Sequence, residues 1–319
     1  MSIDPRNGEV KAYVGGMDYE HFQYDMVMLG RRQVGSTIKP FLYSLAMDNG
    51  FTPCDMAPNV QQTYIVAGQQ WTPRNSSRRR YGEMVTLKWG LAQSNNWITA
   101  YLMSKLSPQA FVTLLREYGF NNPDIHPSMS LCLGPCDLTV AEMVSAYTTF
   151  VNHGIRCAPL FVTKIEDNEG NVIAQFQPRM NEVISEESAN KMLYMLKGVV
   201  DGGTASRLRY KYNFTGEIAA KTGTTNNNSD AWFMGFTPTL VSGVWVGGDD
   251  RDIHFDSMQM GQGATMALPI WANYMRRVFS DSRLGYSEGA VFDLPEGYNP
   301  CETSEIDVTD VNDIEEVFE

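Results

Sequence analysis

The alternation of apolar and polar positions predicts strands at both ends of the chain. A turn-rich stretch at residues 4–8, followed by alternation over 10–14, predicts a β-hairpin within residues 1–16. Much later in the chain, three apolar runs follow one another with short polar breaks between them. These runs predict consecutive antiparallel strands over 218–224, 231–236 and 240–246.

Helical periodicity and helix-end signals predict that the middle of the chain is mostly helical. Ser107-Pro108 supplies an N-cap and a first-position proline for one helix. Thr139 and Glu142 form a capping box that opens another helix, which ends at Gly154. The remaining pattern predicts helices over 36–49, 86–93, 97–106, 186–199 and 265–278, and a pair of strands over 161–166 and 171–176.

This order of elements predicts an α/β fold whose antiparallel sheet is built from both chain ends and flanked by helices. A helical subdomain is inserted between the two sets of strands. The fold is expected to form one domain over residues 1–298. The first strand has few residues before its turn at Pro5, so we expect the chain to be an excerpt of a longer protein.

Composition allows a sizeable core and argues against a nucleic-acid partner. Apolar residues make up 43% of the 319 residues, and the net charge of −12 disfavours a surface for phosphates. Residues 299–319 are predicted to be a disordered acidic tail, because they carry eight acids and no Lys or Arg. The acids are Glu302, Glu305, Asp307, Asp310, Asp313, Glu315, Glu316 and Glu319.

The cysteines and the hydropathy indicate neither a metal site nor a membrane span. No CxxC occurs among the five cysteines, so we interpret them as small apolar side chains with room for one disulfide. They are Cys54, Cys132, Cys136, Cys157 and Cys301. No run of about 18 apolar residues occurs, so the chain as given is expected to be soluble.

Three short motifs that carry chemistry stand in a fixed order. The first is an SxxK formed by Ser36 and Lys39, at the predicted start of a helix. The second is an SxN formed by Ser94 and Asn96, at a break between two predicted helices. The third is a KTGT on the first of the late strands, formed by Lys221, Thr222, Gly223 and Thr224. Together they match the signature set of penicillin-binding proteins and class A β-lactamases.

The spacing of these motifs is suited to serine nucleophilic catalysis. Ser36 and Lys39 share one helix face, so the lysine amine can reach the serine hydroxyl and act as its base. Burial, the nearby charge of Lys221 and the positive end of the helix are each expected to lower the pKa of Lys39. Ser94 can relay a proton, and the backbone N–H groups of Ser36 and Thr224 can form an oxyanion hole. The small Gly223 is expected to let an edge strand approach a ligand.

A second SxxK shows how little a single motif specifies. Residues 188–191 form both an SxxK and an SxN on a predicted helix. They precede the KTGT by only about 30 residues and leave no separate second motif. We therefore interpret Ser188 and Lys191 as part of a solvated helix face.

The longer stretches around the motifs resemble the transpeptidase domain of class A, bifunctional penicillin-binding proteins. They are residues 35–41, the Pro73-Arg74-Asn75 stretch that leads to Ser94, and above all residues 221–238. The similarity covers roughly residues 2–278, and the fold it implies is the penicillin-binding and serine β-lactamase fold. The chain departs from the family pattern at residues 24–28. The glycosyltransferase domain and membrane anchor that precede this domain in the family are expected in a longer parent protein.

The resemblance implies that Ser36 attacks the D-Ala-D-Ala end of a peptidoglycan stem peptide, with Lys39 as its base. The implied partners are stem peptides and β-lactam antibiotics, with no cofactor, no metal and no nucleic acid. The implied location is the outer face of the cytoplasmic membrane of a bacterium, in a membrane-anchored parent protein. The other residues would handle protons and charge (Ser94, Lys221), position the peptide (Asn96) and bind its terminal carboxylate (Thr222, Thr224, with Gly223 between them).

Several alternatives stay open or are disfavoured. A D,D-carboxypeptidase, or a penicillin sensor without turnover, would carry the same three motifs. A scaffold is the alternative of a different class, and it is disfavoured because it would not need Ser36, Lys39 and Lys221. A β-lactamase is disfavoured because no convincing Glu follows the second motif to activate water. The GxSxG at 285–289 has no His after it, as an α/β-hydrolase requires. The acidic run at 249–252 near His254 contains Arg251, which argues against a metal site.

Overall fold

A computed structural model describes residues 1–66, 68–225 and 227–301 of the chain. Its strands are β1 (Ser2–Ile3), β2 (Val10–Ala12), β3 (Arg32–Gln33), β4 (Met56–Pro58), β5 (Tyr64–Val66), β6 (Gln69–Trp71), β7 (Met84–Thr86), β8 (Asp137–Leu138), β9 (Ile155–Cys157), β10 (Lys164–Glu166), β11 (Val172–Gln175), β12 (Met180–Glu182), β13 (Ala219–Thr224), β14 (Asp230–Thr237) and β15 (Leu240–Gly247).

The α-helices are α1 (Lys39–Asp48), α2 (Leu87–Ala92), α3 (Asn96–Lys105), α4 (Pro108–Glu117), α5 (Val140–Tyr147), α6 (Glu186–Asp201), α7 (Arg207–Tyr210), α8 (Met258–Gly261) and α9 (Gly263–Ser280). Short 3-10 helices cover Gly35–Ile38, Met129–Leu133, Thr148–Phe150 and Ser282–Leu284. In the part of the chain described here, no helix is both long and apolar enough to cross a bilayer.

The central sheet is antiparallel and draws its strands from both ends of the chain, as predicted. Its order is β13-β14-β15-β1-β2, so the N-terminal hairpin extends the sheet beyond the three late strands. The strand that carries the KTGT motif, β13, lies at one edge of this sheet. An edge strand leaves one row of backbone groups free to face another element or a ligand.

The helices cover both faces of the sheet. A Cβ atom built on Gly243 of β15 would lie 2.6 Å from Val144 of α5, whereas one built on Gly235 of β14 would lie 2.6 Å from Trp271 of α9. Gly243 pairs with Met234, the neighbour of Gly235, and successive residues of a strand point to opposite faces. The inserted helical subdomain and the late helix α9 therefore sandwich the sheet.

A cluster of buried aromatic rings supports the helix that follows the SxxK serine. The ring of Phe41, in the first turn of α1, lies 4.6–5.8 Å from four other rings: those of Tyr118, Phe120, Tyr147 and Phe150. The hydroxyl of Tyr147 also donates a 2.8 Å hydrogen bond to the carbonyl of Thr37. Core packing thus fixes the turn next to Ser36 as well as the helix behind it.

Three local predictions were wrong. The helix that opens at the capping box ends at Tyr147 and is followed by a 3-10 helix over Thr148–Phe150, rather than continuing to Gly154. Ser36 lies in the 3-10 helix before α1 rather than on the α-helix itself, whose first residue is Lys39. Ser188 and Lys191, the residues of the second SxxK, are not on a solvated face, because only 2% and 3% of their surfaces are exposed. Helix α6 packs against α1, α2 and β13, which buries this face, and Lys191 forms an ion pair with Glu187 at 2.5 Å.

A disulfide joins Cys54 to Cys301, with 5.4 Å between their Cα atoms. The three other cysteines are free and buried, which agrees with their interpretation as small apolar side chains with one disulfide. Cys301 was assigned to the acidic tail, yet it is tied to the segment between α1 and β4. Residues 302–319 of the predicted tail lie outside the described residues.

Replacing Cys301 with serine is expected to lower the melting temperature. The cross-link joins residues 247 positions apart, and a disulfide that closes a long loop contributes roughly 2–4 kcal/mol by restricting the unfolded chain. Thermal unfolding with and without dithiothreitol measures the effect. The reductant should lower the melting temperature of the wild type to that of the variant and leave the variant unchanged; equal melting temperatures without reductant would contradict this.

Candidate active site

Ser36 is partly exposed on a tight turn that touches the end of the KTGT strand. Gly35, the residue before it, has φ +52°, and a Cβ atom there would lie 2.6 Å from the carbonyl oxygen of Thr224. Only glycine fits both this backbone conformation and this close approach. The contact brings the backbones of Ser36 and Thr224, the two proposed oxyanion-hole donors, to the same place.

Lys39 is fully buried at the start of α1 and directs its amine toward the second motif. Its Nζ donates hydrogen bonds to Asn96 Oδ1 at 2.6 Å and to the carbonyl of Ser94 at 2.7 Å, with Ser94 Oγ at 3.4 Å. The expected hydrogen bond between Lys39 Nζ and Ser36 Oγ is not among the bonds that the described residues make. Hydrogen bonds of a catalytic site often tighten only when substrate is bound.

The environment of the two lysines favours a neutral amine. Burial lowers the pKa of Lys39 to about 7. Burial also lowers the pKa of Lys221 well below its usual value, and the nearby charge of Lys39 lowers it further. Burial raises the pKa of the adjacent Cys132 thiol to about 12, so this thiol stays neutral at physiological pH.

Ser94 lies between the two lysines on a strained turn. Its hydroxyl accepts a 2.8 Å hydrogen bond from Lys221 Nζ, while Lys39 Nζ approaches from the other side. Ser94 has φ +52°, a left-handed conformation that is uncommon outside glycine. Ser94 lies between α2 and α3, and its backbone conformation turns its carbonyl toward Lys39. The hydrogen bond from Lys39 Nζ to this carbonyl was not predicted by the motif.

Asn96 is held by the loop that carries the Pro-Arg-Asn sequence. Its backbone N–H donates to Asn75 Oδ1 at 2.9 Å, and its Nδ2 donates to the carbonyl of Arg74 at 2.7 Å. Its Oδ1 accepts from Lys39, so one amide connects the loop to the buried amine. Residues 73–75 resemble the family pattern, but the sequence predicts no role for them; in the structure they support the second motif.

The KTGT residues divide between the two sides of β13. Lys221 points to Ser94, whereas the Thr222 hydroxyl lies 2.7 Å from that of Thr204, and Thr224 Oγ1 accepts a 3.1 Å bond from the Gly263 N–H. Neither Thr204 nor Gly263 was singled out in the sequence, because each is distant along the chain and belongs to no local motif.

Gly223 has a packing role that the sequence did not predict. A Cβ atom on Gly223 would lie 2.8 Å from Thr37 Cγ2 and 2.9 Å from the carbonyl of Val34. The missing side chain therefore makes room for the turn that carries Ser36, and the approach of a ligand along this strand stays a prediction. Glycine at this position sets the distance between the first and third motifs.

The structure gives no support to the rival sites. Ser287 of the GxSxG lies in an exposed loop and accepts a hydrogen bond from the Gly289 N–H, without the strand and helix of a nucleophile elbow around it. Arg251 forms an ion pair with Asp137. Among the residues that the structure describes, no group of three or more His, Cys, Asp or Glu side chains is arranged to hold a metal ion.

The chain is similar over most of its length to proteins of one family. Residues 1–250 match the family model described as penicillin binding protein transpeptidase domain. Penicillin-binding protein 1A of Aquifex aeolicus (strain VF5) is 36% identical over 280 residues, which cover 87% of this chain and 37% of that protein. Penicillin-binding protein 1A of Neisseria meningitidis serogroup A is 34% identical over 306 residues, covering 93% of this chain and 37% of that protein.

Solved structures have the same fold. Penicillin-binding protein 1A from Haemophilus influenzae aligns with a TM-score of 0.83 and 29% identity, over 92% of this chain and 48% of that one. The PonA1 protein from Mycobacterium tuberculosis, in complex with penicillin V, aligns with a TM-score of 0.76 and 25% identity, over 95% of this chain and 81% of that one. The chain spans 37% of the length of the curated relatives quoted above. It belongs to the penicillin-binding protein transpeptidase family.

Proposed function

We propose that this chain is an acyl-serine D,D-transpeptidase that cross-links peptidoglycan stem peptides and is inhibited covalently by β-lactams. The observation that carries the proposal is the buried network in which Lys39 and Lys221 meet at Ser94, next to the turn with Ser36. A lysine with a pKa near 7 is a usable base, and desolvation produces such a lysine. A relative in the same family binds penicillin V in its solved structure.

The proposed reaction has two halves. Ser36 Oγ attacks the carbonyl of the penultimate D-Ala and gives its proton to Lys39, while the N–H groups of Ser36 and Thr224 stabilise the oxyanion. The C–N bond to the terminal D-Ala then breaks, and the leaving amine takes the proton held by Lys39 through Ser94. A second peptide's amine then attacks the acyl-serine ester and forms the new amide, and its proton passes through Lys39 to the departing Ser36 oxygen, which restores the hydroxyl.

The residues around this centre are proposed to hold the donor peptide. Asn96 Oδ1 is shared with Lys39 in this structure, so its amide would have to exchange partners when it binds a peptide amide. The hydroxyls of Thr222 and Thr224 are proposed to bind the terminal carboxylate. Thr222 would donate to the substrate while it keeps Thr204 as a neighbour at 2.7 Å.

Product analysis distinguishes this function from the two alternatives. A stem-peptide donor is mixed with an amine acceptor and the protein, and the products are separated by mass. A transpeptidase gives the cross-linked peptide, a D,D-carboxypeptidase gives only the trimmed donor, and a sensor gives an acylated protein without turnover. Release of trimmed donor alone, at every acceptor concentration, would reject the transpeptidase assignment.

The rate of acylation by a penicillin is expected to rise with pH. Below about pH 7 the amine of Lys39 is mostly protonated and cannot accept the Ser36 proton, and above that value it is mostly neutral. The rate should therefore increase through an inflection near pH 7 and then reach a plateau. A stopped-flow or gel-based labelling series from pH 5.5 to 9, with circular dichroism at each pH, measures it. A rate that is constant or falls over this range would contradict a neutral lysine base.

The parent protein is proposed to act at the outer face of the bacterial cytoplasmic membrane, where peptidoglycan is assembled. Disulfides persist in oxidising compartments and are rare in the cytosol. The bond between Cys54 and Cys301 is consistent with such a location. A membrane anchor and a glycosyltransferase domain in the parent protein are likewise proposals, supported by the greater length of the relatives. Immunolocalisation of the full-length protein tests the proposed location at the cytoplasmic membrane.

A further inference from the structure

Arg32 is a buried arginine that connects the nucleophile segment to three parts of the sheet. It lies in β3, four residues before Ser36, and only 6% of its surface is exposed. Its Nε donates a 2.8 Å hydrogen bond to Asp230 Oδ1 at the start of β14, and its Nη1 donates to the carbonyl of Gly248 at 2.9 Å, just after β15. Its guanidinium also lies 4.9 Å from the ring centre of Trp245 in β15.

Asp230 is fully buried and organises the turn that follows the KTGT motif. Its Oδ1 also accepts a 3.0 Å bond from Trp245 Nε1, and its Oδ2 accepts a 2.9 Å bond from Ser229 Oγ. Its backbone exchanges two bonds with Thr225, the residue after Thr224: the Asp230 N–H donates to Thr225 Oγ1, and the Thr225 N–H donates to the Asp230 carbonyl. The end of β13 is therefore fixed relative to Asp230.

The charges of this pair compensate each other. Among the described residues, Asp230 is the one carboxylate within salt-bridge distance of Arg32, and Arg32 Nη2 is buried without a hydrogen-bond partner. A buried ion pair contributes little net stability, because desolvation of both charges offsets their attraction. Its directional bonds instead select one arrangement of the segments that it joins. Here those segments carry Ser36 on one side and the end of the KTGT strand on the other.

We propose that the Arg32–Asp230 pair is a positioning device that sets the distance between the Ser36 turn and the end of β13, and with it the oxyanion hole. The pair acts with a second link, in which Trp232 Nε1 donates a 2.8 Å bond to the carbonyl of Gln33. Both Arg32 and Asp230 act through the backbones of Ser36 and Thr224 and touch neither reacting atom. This proposal rests on the acyl-serine function proposed above.

The test separates the chemical step of acylation from binding. Acylation by a fluorescent penicillin is followed at increasing probe concentrations, which yields a maximal rate and a half-saturating concentration. Arg32→Lys keeps the charge but loses the planar fork that reaches Asp230 and Gly248 together. We expect its maximal rate to fall about 10- to 100-fold, because a shift of about 1 Å in a reacting group has effects of this size. The half-saturating concentration should stay within about threefold of the wild-type value.

Two further variants establish that the effect belongs to the pair. Asp230→Asn should lower the maximal rate similarly, and the double variant should be no slower than the slower single variant, since both changes remove one interaction. If either single variant fails to fold, Arg32→Met with Asp230→Leu removes both charges together. Proteins in which a buried ion pair is replaced by apolar residues of similar size generally still fold. This apolar variant should be folded and slow.

Arg116→Lys is the matched control. Arg116 also uses its guanidinium to hold backbone carbonyls, those of Phe120 and Asn122, but it lies on α4 away from the three motifs. This variant should lose some thermal stability and keep the wild-type maximal rate. The proposal is overturned if folded Arg32→Lys acylates within twofold of the wild-type rate, or if rate loss simply follows melting temperature in all variants. A wild-type protein that penicillin does not label at Ser36 would instead reject the proposed function itself.

Discussion

Lys39→Arg is expected to abolish acylation of the protein by penicillin, with a loss of about 10³-fold or more. A guanidinium remains protonated at every accessible pH, so it cannot accept the proton of Ser36. General bases contribute about 10²- to 10⁴-fold to such reactions. The buried position of Lys39 adds a second effect. A permanent charge there would repel a proton on Lys221, because the Nζ atoms of both lysines lie within hydrogen-bond distance of Ser94 Oγ. Labelling with a fluorescent penicillin over hours detects residual rates.

The chain contains its own control for this substitution. Lys191 is also a buried lysine in an SxxK sequence, and it is paired with Glu187 on α6. Lys191→Arg keeps that charge and should leave the acylation rate within a factor of about two, as expected for a residue outside the reaction. If Lys39→Arg is folded by circular dichroism and still acylates at near the wild-type rate, Lys39 is not the base.

Gly35→Ala is expected to reduce the acylation rate by about 10²-fold. The added methyl group would lie 2.6 Å from the Thr224 carbonyl oxygen, so the Ser36 turn and the end of β13 must separate. A displacement of about 1 Å between a nucleophile and its oxyanion donors has an effect of this order. The substitution also places alanine at φ +52°, which costs about 1 kcal/mol of folding stability.

Gly50→Ala separates backbone strain from displacement of the site. Gly50 follows α1, has φ +84° and has no atom within 4 Å of the position that a Cβ would occupy. The control should therefore show a similar loss of melting temperature with an unchanged acylation rate. Equal acylation rates in the two alanine variants would show that the close contact between Gly35 and Thr224 does not position Ser36.

The sequence predicted the fold where the signal was local and periodic. The capping box of α5 is present as predicted, with both the Thr139 and Glu142 side chains bonded to backbone N–H groups. The three late strands occupy the predicted runs to within one residue at each end, because their apolar residues are buried between two helical layers. The sheet drawn from both chain ends followed from the position of these strands and of the hairpin.

Long-range contacts explain what the sequence did not predict. The 3-10 turn at Ser36 is held by Tyr147 and by Thr224, which are 111 and 188 residues further along the chain. The packing of α6 against α1, α2 and β13 buries Ser188 and Lys191. Which face of a helix is buried depends on the elements beside it, and these are distant along the chain. Periodicity indicates a helix but carries no information on its neighbours.

In the candidate site too, local motifs were predictable from the sequence and long-range contacts were not. The order and spacing of three motifs favour Ser36 over Ser188 and Ser287 as the predicted nucleophile, and the structure brings Lys39, Ser94 and Lys221 into one hydrogen-bonded network. The supports of that network were not predictable, since the Asn75 and Arg74 contacts to Asn96 join a loop to a helix end 21 and 22 residues later. The packing of Gly223 against the Ser36 turn was not predictable for the same reason.

The central claim, that Ser36 is the acylated nucleophile, is tested most directly by mapping the site of a penicillin adduct. The protein is incubated with benzylpenicillin, digested with protease and analysed by tandem mass spectrometry. We expect one adduct, on the peptide that contains Ser36, and none in the Ser36→Ala variant. An adduct on Ser94, Ser188 or Ser287, or one that persists in the Ser36→Ala variant, would contradict it.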